Sequence, residues 1–219
     1  REKMTRKAKV VTISGKEGTL TISSMTGKLK GLESLNTSPL DNAFCEAMAG
    51  TPGTICSYCY SRRMLNSSRK SCRPAFRANG EILSSLLTWE SLEKIKINSE
   101  IFRFSAHGEL INMAHFANLV NIARTHKNTV FSLWTKRKEL VREYFDILGG
   151  CRKDTLNLLI IYSSLKINQP EKRPRYFDKV FTVWDSTTAK GKGIHINCGS
   201  RSCIDCQLCY CSGEPEINE

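Results

Sequence analysis

The ten cysteines of this 219-residue chain are clustered, and their spacing constrains the fold more than any other feature. The C-terminal group consists of Cys198, Cys203, Cys206, Cys209 and Cys211, and the N-terminal group consists of Cys45, Cys56 and Cys59. Only Cys72 and Cys151 stand apart. Small disulfide scaffolds are usually shorter and richer in cysteine. Tight Cys-x-x-Cys spacing in a chain of ordinary composition therefore predicts metal ligation in a reducing compartment.

The C-terminal group carries the strongest pattern. Cys203, Cys206 and Cys209 follow one another at three-residue steps, as do the first three ligands of a bacterial ferredoxin cluster loop. Either Cys198 or Cys211 supplies the fourth thiolate. The spacing predicts an iron–sulfur cluster; a tetrahedral zinc site and a set of disulfides are the alternatives.

The N-terminal group has three cysteines, enough to hold three irons of a four-iron cluster. The fourth iron would then stay open, and an open position is what a catalytic metal centre requires. In a second interpretation, Cys72 completes a closed structural site. In a third, Cys45 is a small buried apolar residue, and only Cys56 and Cys59 act together.

Before residue 100, the pattern predicts three segments. VVTIS and TLTISS around GKEG are typical of a β-hairpin. Residues 27–55 are rich in Gly, Asn, Pro and Thr and predict a long irregular loop, which in a compact domain is usually functional. Residues 61–97 have apolar residues at helical spacing, and Pro74 is expected to divide this helical segment.

After residue 100, strands and helices alternate. The predicted strands are IFRFSA, TVFSLWT, LNLLIIYSSL and KVFTVWDS, and the predicted helices are INMAHFANLVNIARTH and RKELVREYFDILGG. This order indicates right-handed βαβ units, a mostly parallel sheet and an α/β fold of the partial (open) β/α-barrel type. We expect residues 1–197 to form this core, with a cluster loop at residues 45–59, and residues 198–219 to form a Cys-rich iron–sulfur extension.

Polar side chains follow each predicted strand, where a barrel site would lie. They are Ser105, then Trp134, Thr135 and Lys136, then Tyr162, Ser163 and Ser164, then Trp184, Asp185 and Ser186. Glu109 is the preferred acid, although a solvated acid at a helix start is an equal alternative. His107 is a candidate ligand or proton shuttle, although such a histidine is more often simply hydrogen-bonded.

Two motifs resemble those of the radical S-adenosylmethionine enzymes. Cys56-Ser57-Tyr58-Cys59 matches the end of their cluster loop, with Tyr58 as the aromatic residue, and FRFSAHGEL places Gly108 and Glu109 where their Gly-Glu-type motif lies. The resemblance implies a 4Fe-4S cluster and S-adenosylmethionine as cofactors. It implies cofactor contacts from Tyr58, Ser105, His107, Gly108 and Glu109.

A second resemblance covers most of the chain. GKLKGLESLNTSPLDNAFC, CSYCYSRRM, FRFSAHGEL, TVFSLWTK and the late CIDCQLCYC occur in an order similar to that of the phage family called gene product 88. This resemblance implies a viral protein that acts in a host cytoplasm and has a cluster-binding core. It implies no particular reaction.

The formal charge of +12 points to a possible polyanionic partner. The 62–77 region contains six basic residues and no acidic residue, so it is a candidate nucleic-acid contact; a solvated helix face is the alternative. No stretch approaches the ~20 apolar residues of a membrane span, and no leader precedes the first strand, so we expect a cytoplasmic protein without membrane contact.

Three functions follow. The first is an iron–sulfur enzyme of the radical type, with an unknown small-molecule or macromolecular substrate and an electron donor as partners. The second is a non-catalytic iron–sulfur redox or regulatory protein that binds a host factor or nucleic acid. The third is a zinc-stabilised nucleic-acid-binding protein.

Overall fold

A computed structural model describes residues 9–13, 18–199 and 201–219. Its strands are β1 (Lys9–Ile13), β2 (Gly18–Ser24), β3 (Glu33–Leu35), β4 (Ile101–Phe104), β5 (Val130–Thr135), β6 (Leu158–Ser163), β7 (Lys179–Thr182) and β8 (Glu216–Asn218). Its α-helices are α1 (Ala43–Ala49), α2 (Tyr60–Asn66), α3 (Arg73–Leu83), α4 (Trp89–Lys94), α5 (Met113–Thr125), α6 (Lys138–Asp146), α7 (Ser186–Gly191) and α8 (Cys203–Cys206).

The strands form one sheet in which spatial order follows chain order from β1 to β8. β1, β2 and β3 pair antiparallel, whereas every pairing from β3 to β8 is parallel. The prediction of an open, mostly parallel sheet with an antiparallel N-terminal pair is thus confirmed. The GKEG turn of the predicted hairpin lies largely outside the described residues.

One face of the sheet carries the main core beneath the helices. Phe102, Phe104 and Phe131 are fully buried there, and the rings of Phe104 and Phe131 stack with centroids 4.8 Å apart. Burying each such ring contributes about 2–3 kcal/mol. Alternate residues of the same strands point to the opposite face. There Ile161, Phe181 and Ile217 form a second, smaller cluster.

The residues between the predicted hairpin and β4 are more ordered than their composition indicated. The region 27–55 contains β3 and α1, and the helical region 61–97 is divided into α2, α3 and α4. Pro74 lies in the first turn of α3, where its missing N–H costs no helical hydrogen bond. The expected division near Pro74 is therefore explained by a helix start.

The Cys-rich C-terminal segment is part of the sheet architecture. Its last strand, β8, pairs with β7, and Ile217 is fully buried. The proposed division at residue 197 stays a prediction. In the described part of the chain, the helices lack the combination of length and apolar character needed to cross a bilayer.

Candidate metal centre

A cavity of about 710 Å³ lies at the carboxyl ends of the parallel strands, on the face opposite the main core. It has the size of a small-molecule site. Cysteines from both ends of the chain line it: Cys45, Cys56, Cys59 and Cys72, together with Cys198, Cys203 and Cys209. The same cavity is lined by the other predicted site residues, which are Tyr58, Ser105, His107, Gly108 and Glu109.

We call Cys45, Cys56 and Cys59 the N-terminal cysteine set. Cys45 lies in the first turn of α1, and the Asn42 side chain caps this helix by accepting a hydrogen bond from the Cys45 N–H at 3.1 Å. Cys56 lies in a 3₁₀ turn, and the Cys59 N–H donates to its carbonyl at 3.2 Å. α1 thus folds the ten-residue gap between Cys45 and Cys56 back on itself and keeps all three thiols at one cavity.

The environment of the N-terminal set is partly acidic. Burial raises the pKa of the Cys45 thiol, and the nearby Glu109 carboxylate and the thiols of Cys59 and Cys56 raise it further. Burial also raises the pKa of Cys56, whereas the Lys136 ammonium lowers it. Binding a metal here would require these thiols to release their protons.

Glu109 is a buried carboxylate held by the two loops that follow β4 and β5. It accepts hydrogen bonds from the Leu110 N–H at 2.7 Å, from the Lys136 N–H at 2.8 Å and from the Thr135 hydroxyl. Burial raises its pKa, although these hydrogen bonds oppose the shift. Glu109 therefore fixes the cavity wall beside Cys45, and its acceptor sites are largely used by the protein.

His107 lies deep in the same wall. Its Nδ1 is 2.8 Å from the Ser61 hydroxyl, and its backbone N–H donates to the Asn36 side chain at 3.0 Å. Burial, with the charges of Arg69 and Arg103, lowers the pKa of His107 to about 4. The imidazole is therefore neutral near pH 7.

The backbone beside His107 requires a glycine. Gly108 has φ +87°, and a Cβ at this position would lie 2.3 Å from Thr37 Oγ1 and 2.5 Å from the Thr37 carbonyl oxygen. Ser105, on the other side, has φ +54°. Tyr58, by contrast, is 75% exposed at the cavity rim.

We call Cys198, Cys203, Cys206 and Cys209 the C-terminal cysteine set. Cys203 and Cys206 lie at the ends of α8, and the left-handed residue Gln207, with φ +51°, turns the chain after it. Neighbouring thiols of the set raise the pKa of Cys198, Cys203 and Cys209. Cys211 is exposed, and its thiol donates only a long hydrogen bond to the Leu208 carbonyl at 3.7 Å. Of the two candidates for the fourth position, the structure thus brings Cys198 to the set.

Two cations lie beside the C-terminal set. Lys28 Nζ is 3.3 Å from Cys198 Sγ and forms an ion pair with Glu219 at 2.7 Å. Burial raises the pKa of Cys209 to about 12, and Arg103 opposes that shift. The Arg103 charge also lowers the pKa of Cys203. Positive charge of this kind favours thiolates.

The cysteines are all free thiols, including the exposed Cys151. Within residues 9–13, 18–199 and 201–219, however, no three His, Cys, Asp or Glu side chains are arranged to hold a metal ion. Binding a metal or cluster therefore requires side-chain movement at either set.

The basic 62–77 region makes several contacts with its own chain. Arg62 donates to the Pro39 carbonyl at 2.9 Å, Arg69 donates to the Thr26 hydroxyl, and Arg77 forms an ion pair with Asp41. These contacts use part of the charge that the sequence offers to nucleic acid, and such binding stays a prediction.

Arg103 and Lys28 did not emerge from the sequence as site residues. A charged residue between two phenylalanines in the strand Ile101–Phe104 is the signal that could have identified Arg103, because a buried parallel strand is normally apolar. Lys28 gave no comparable signal, because its partner Cys198 is 170 residues away.

A family model described as gene product 88 matches residues 1–211. The comparison with curated proteins found no match, and neither did the comparison with solved structures.

Proposed function

The chain belongs to the gene product 88 family, and we propose that it is an iron–sulfur protein with two cluster sites at one small-molecule cavity. The observation that carries this proposal is the convergence of both cysteine sets on that cavity, although they lie at opposite ends of the chain. The family match includes all ten cysteines, so both sets belong to the same family module.

The donor chemistry fits this proposal. Each set offers thiols, the ligands that iron–sulfur clusters use. The C-terminal set has four, enough for a fully ligated cluster, and the charges of Lys28 and Arg103 stabilise the thiolate form beside it. The N-terminal set has three and faces the cavity, which suits a cluster with one position left for a ligand.

We further propose that the N-terminal set serves a reaction of the radical S-adenosylmethionine type within a partial β/α-barrel. Cys45, Cys56 and Cys59 would hold this cluster, which would supply the electron for reductive cleavage of S-adenosylmethionine and so allow hydrogen abstraction from a substrate. The chain's part is to orient the bound molecules and exclude water. The residues proposed to contact the cofactor are Tyr58, Ser105, His107, Gly108 and Glu109.

One observation favours a second candidate, a non-catalytic iron–sulfur redox or regulatory protein. The Glu109 carboxylate already accepts three hydrogen bonds from its own chain, so little of it is left for a cofactor amino group. In this candidate, both clusters are fully ligated by the protein, and the cavity binds an effector.

The test is metal and sulfide analysis of anaerobically purified protein, followed by electron paramagnetic resonance of the dithionite-reduced sample with and without S-adenosylmethionine. A spectrum that changes with S-adenosylmethionine, with 5′-deoxyadenosine formed, supports the enzyme. A cluster spectrum that does not change supports the second candidate. Zinc without sulfide would overturn both and leave the zinc-stabilised nucleic-acid binder, for which salt-dependent binding of DNA or RNA is the next test.

A matched pair of variants localises the effect. C56S should abolish the response to S-adenosylmethionine, whereas C151S should keep it, because Cys151 is exposed and does not line the cavity. Equal loss in both variants would indicate damage to the protein rather than removal of a ligand.

A further inference from the structure

Arg103 is a buried cation in the wall of the cavity. It lies between Phe102 and Phe104 in β4, but it points to the opposite face of the sheet and is only 9% exposed. Its guanidinium carbon lies 4.2 Å from the ring centroid of Trp134, whose other neighbour is Phe181, with ring centroids 4.2 Å apart. Arg103 and Trp134 both line the cavity.

Within the described part of the chain, the Arg103 guanidinium has neither an ion pair nor a hydrogen bond, and its Nε is buried without a partner. The other arginines near the sheet differ. Arg137 donates to the Leu110 carbonyl and pairs with Glu139, and Arg152 donates to the Leu158 carbonyl and pairs with Asp178. Arg137 and Arg152 thus use their N–H groups to bind carbonyl and carboxylate oxygens of the protein. The N–H groups of Arg103 have no such partner among the described residues.

The cavity offers no spare carboxylate for Arg103. Glu109 and Glu219 are the acidic residues among its described lining residues. Glu109 is held by the loops after β4 and β5, and Glu219 pairs with Lys28 at 2.7 Å. An unpaired buried charge is unfavourable, so a negatively charged ligand would bind more tightly here than at an exposed arginine.

The Trp134 ring orients the guanidinium. The Arg103 guanidinium carbon lies over this ring, and the ring itself packs against Phe181. Arginine donates and never accepts, so the guanidinium needs an acceptor oxygen as its partner. One wall of the cavity thus holds a positioned cation that has no anionic partner among the described residues.

We propose that Arg103 binds the carboxylate or phosphate group of a small molecule in this cavity, with the Trp134 ring holding the guanidinium in position. The planar guanidinium matches such oxyanions through two parallel hydrogen bonds. The ligand is then a small organic acid or phosphate ester whose remaining part reaches toward the N-terminal cysteine set. The assignment of the oxyanion subsite does not depend on which metal the cysteines hold.

The test is isothermal titration calorimetry of sodium benzoate and of inorganic phosphate, at low salt, into anaerobically purified full-length protein. The wild type should bind at least one of the two probes, and the preferred probe identifies the oxyanion. R103M should weaken that binding by about tenfold or more. R103K keeps the charge but lacks the planar guanidinium, so its affinity should lie between those of R103M and the wild type. R142M is the matched control: because Arg142 is exposed on α6, this variant should bind the probe as tightly as the wild type does.

Thermal unfolding of ligand-free R103M gives an independent readout. Because the variant removes an unpaired buried charge, its melting temperature should equal or exceed that of the wild type. The proposal is overturned if the wild type binds neither probe, if R103M binds as tightly as the wild type, or if ligand-free R103M is clearly destabilised. Iron and sulfide are measured on the same samples: iron-loaded protein that binds neither probe contradicts only this inference, and iron-free protein that binds a probe contradicts only the proposed clusters.

Discussion

The two cysteine sets face the same cavity but differ in charge and in packing. The N-terminal set has three thiols on a short helix and a turn, beside the Glu109 carboxylate and the Lys136 ammonium. The C-terminal set has four thiols beside Lys28 and Arg103, and Cys198 and Cys209 pack against the buried cluster of the sheet. Under the proposed function, this difference favours a closed cluster site at the C-terminal set and an open one at the N-terminal set.

The electrostatic contrast has a functional consequence. Cations beside the C-terminal set favour an anionic cluster and its reduced form, which suits storage or transfer of an electron. Beside the N-terminal set, the Glu109 carboxylate opposes the Lys136 ammonium, so a cluster there would gain less from positive charge and would be the harder one to reduce and the stronger reductant. Electrons would then have to enter from a donor of lower potential than either site.

The largest effect is expected from C209S. Cys209 packs against Ile161, Phe181 and Ile217, so loss of its metal also loosens the sheet face. We expect the variant to lose about half of the bound iron and to melt more than about 5 °C below the wild type. Iron analysis and thermal unfolding measure these changes.

C211S is the control for C209S, because Cys211 is exposed and lies outside the C-terminal set. It should retain full iron and the wild-type melting temperature. If C211S instead behaves like C209S, the fourth ligand has been assigned to the wrong cysteine.

A smaller loss of stability is expected from C56S. This variant should also lose about half of the iron, but its melting temperature should fall by only about 2–4 °C, or ~1 kcal/mol, because the N-terminal set lies in a turn outside the buried clusters. The same two measurements, made in parallel, compare the sites directly. A larger drop for C56S than for C209S would reverse the proposed contrast.

K28M tests the charge contrast. Lys28 donates to Cys198 and is partly exposed, so removing its charge should lower the reduction potential of the C-terminal cluster by about 40 mV, equivalent to ~1 kcal/mol for one electron. The potential of the N-terminal cluster should not change. A redox titration followed by electron paramagnetic resonance separates the two, and a shift confined to the N-terminal cluster would contradict the account.

The smallest expected effect is on the stability of the protein in acid. It helps to distinguish unfolding from loss of metal as the pH falls. Burial lowers the pKa of His115 from 6.5 to about 3, so the unfolded chain binds a proton that the folded chain excludes between these values. This histidine therefore lowers stability by about 1 kcal/mol between pH 7 and pH 5.5, and His107, whose pKa is lowered to about 4, adds to that loss.

H115N should reduce that pH dependence. The asparagine oxygen can replace Nδ1 as acceptor for the Ile111 N–H, which is 3.2 Å away. The measurement is the difference between the unfolding free energies at pH 7 and pH 5.5. An unchanged difference in unfolding free energy would exclude His115 as a source of the pH dependence. If H115N still loses iron at pH 5.5, that loss reflects release of metal rather than unfolding caused by His115.

The long elements could be predicted from sequence because each carries its own pattern. β6 is apolar over its first four residues and buried on both faces, and α5 repeats apolar residues at helical spacing. β3 and β8 could not be predicted in this way, because each has only three residues and is ordered mainly by pairing with its neighbours. A short strand has too few residues to display a period.

Some residues of the candidate site could likewise be predicted from sequence, and others could not. Cysteine spacing predicted both groups as metal ligands, because closely spaced cysteines on one loop leave a local pattern. The choice of Cys198 over Cys211 required tertiary structure, since Cys198 reaches the set only through packing against the sheet face. The free guanidinium of Arg103 was also beyond sequence reasoning, because its lack of a partner depends on how distant carboxylates are already paired.

Anomalous X-ray scattering from crystals of anaerobically purified protein, recorded at the iron and zinc edges, would show which metal each cysteine set holds. We expect iron density at Cys198, Cys203, Cys206 and Cys209, and separate iron density at Cys45, Cys56 and Cys59 on the far side of the same cavity. Zinc at these positions, or sulfur–sulfur bonds between the cysteines, would contradict it.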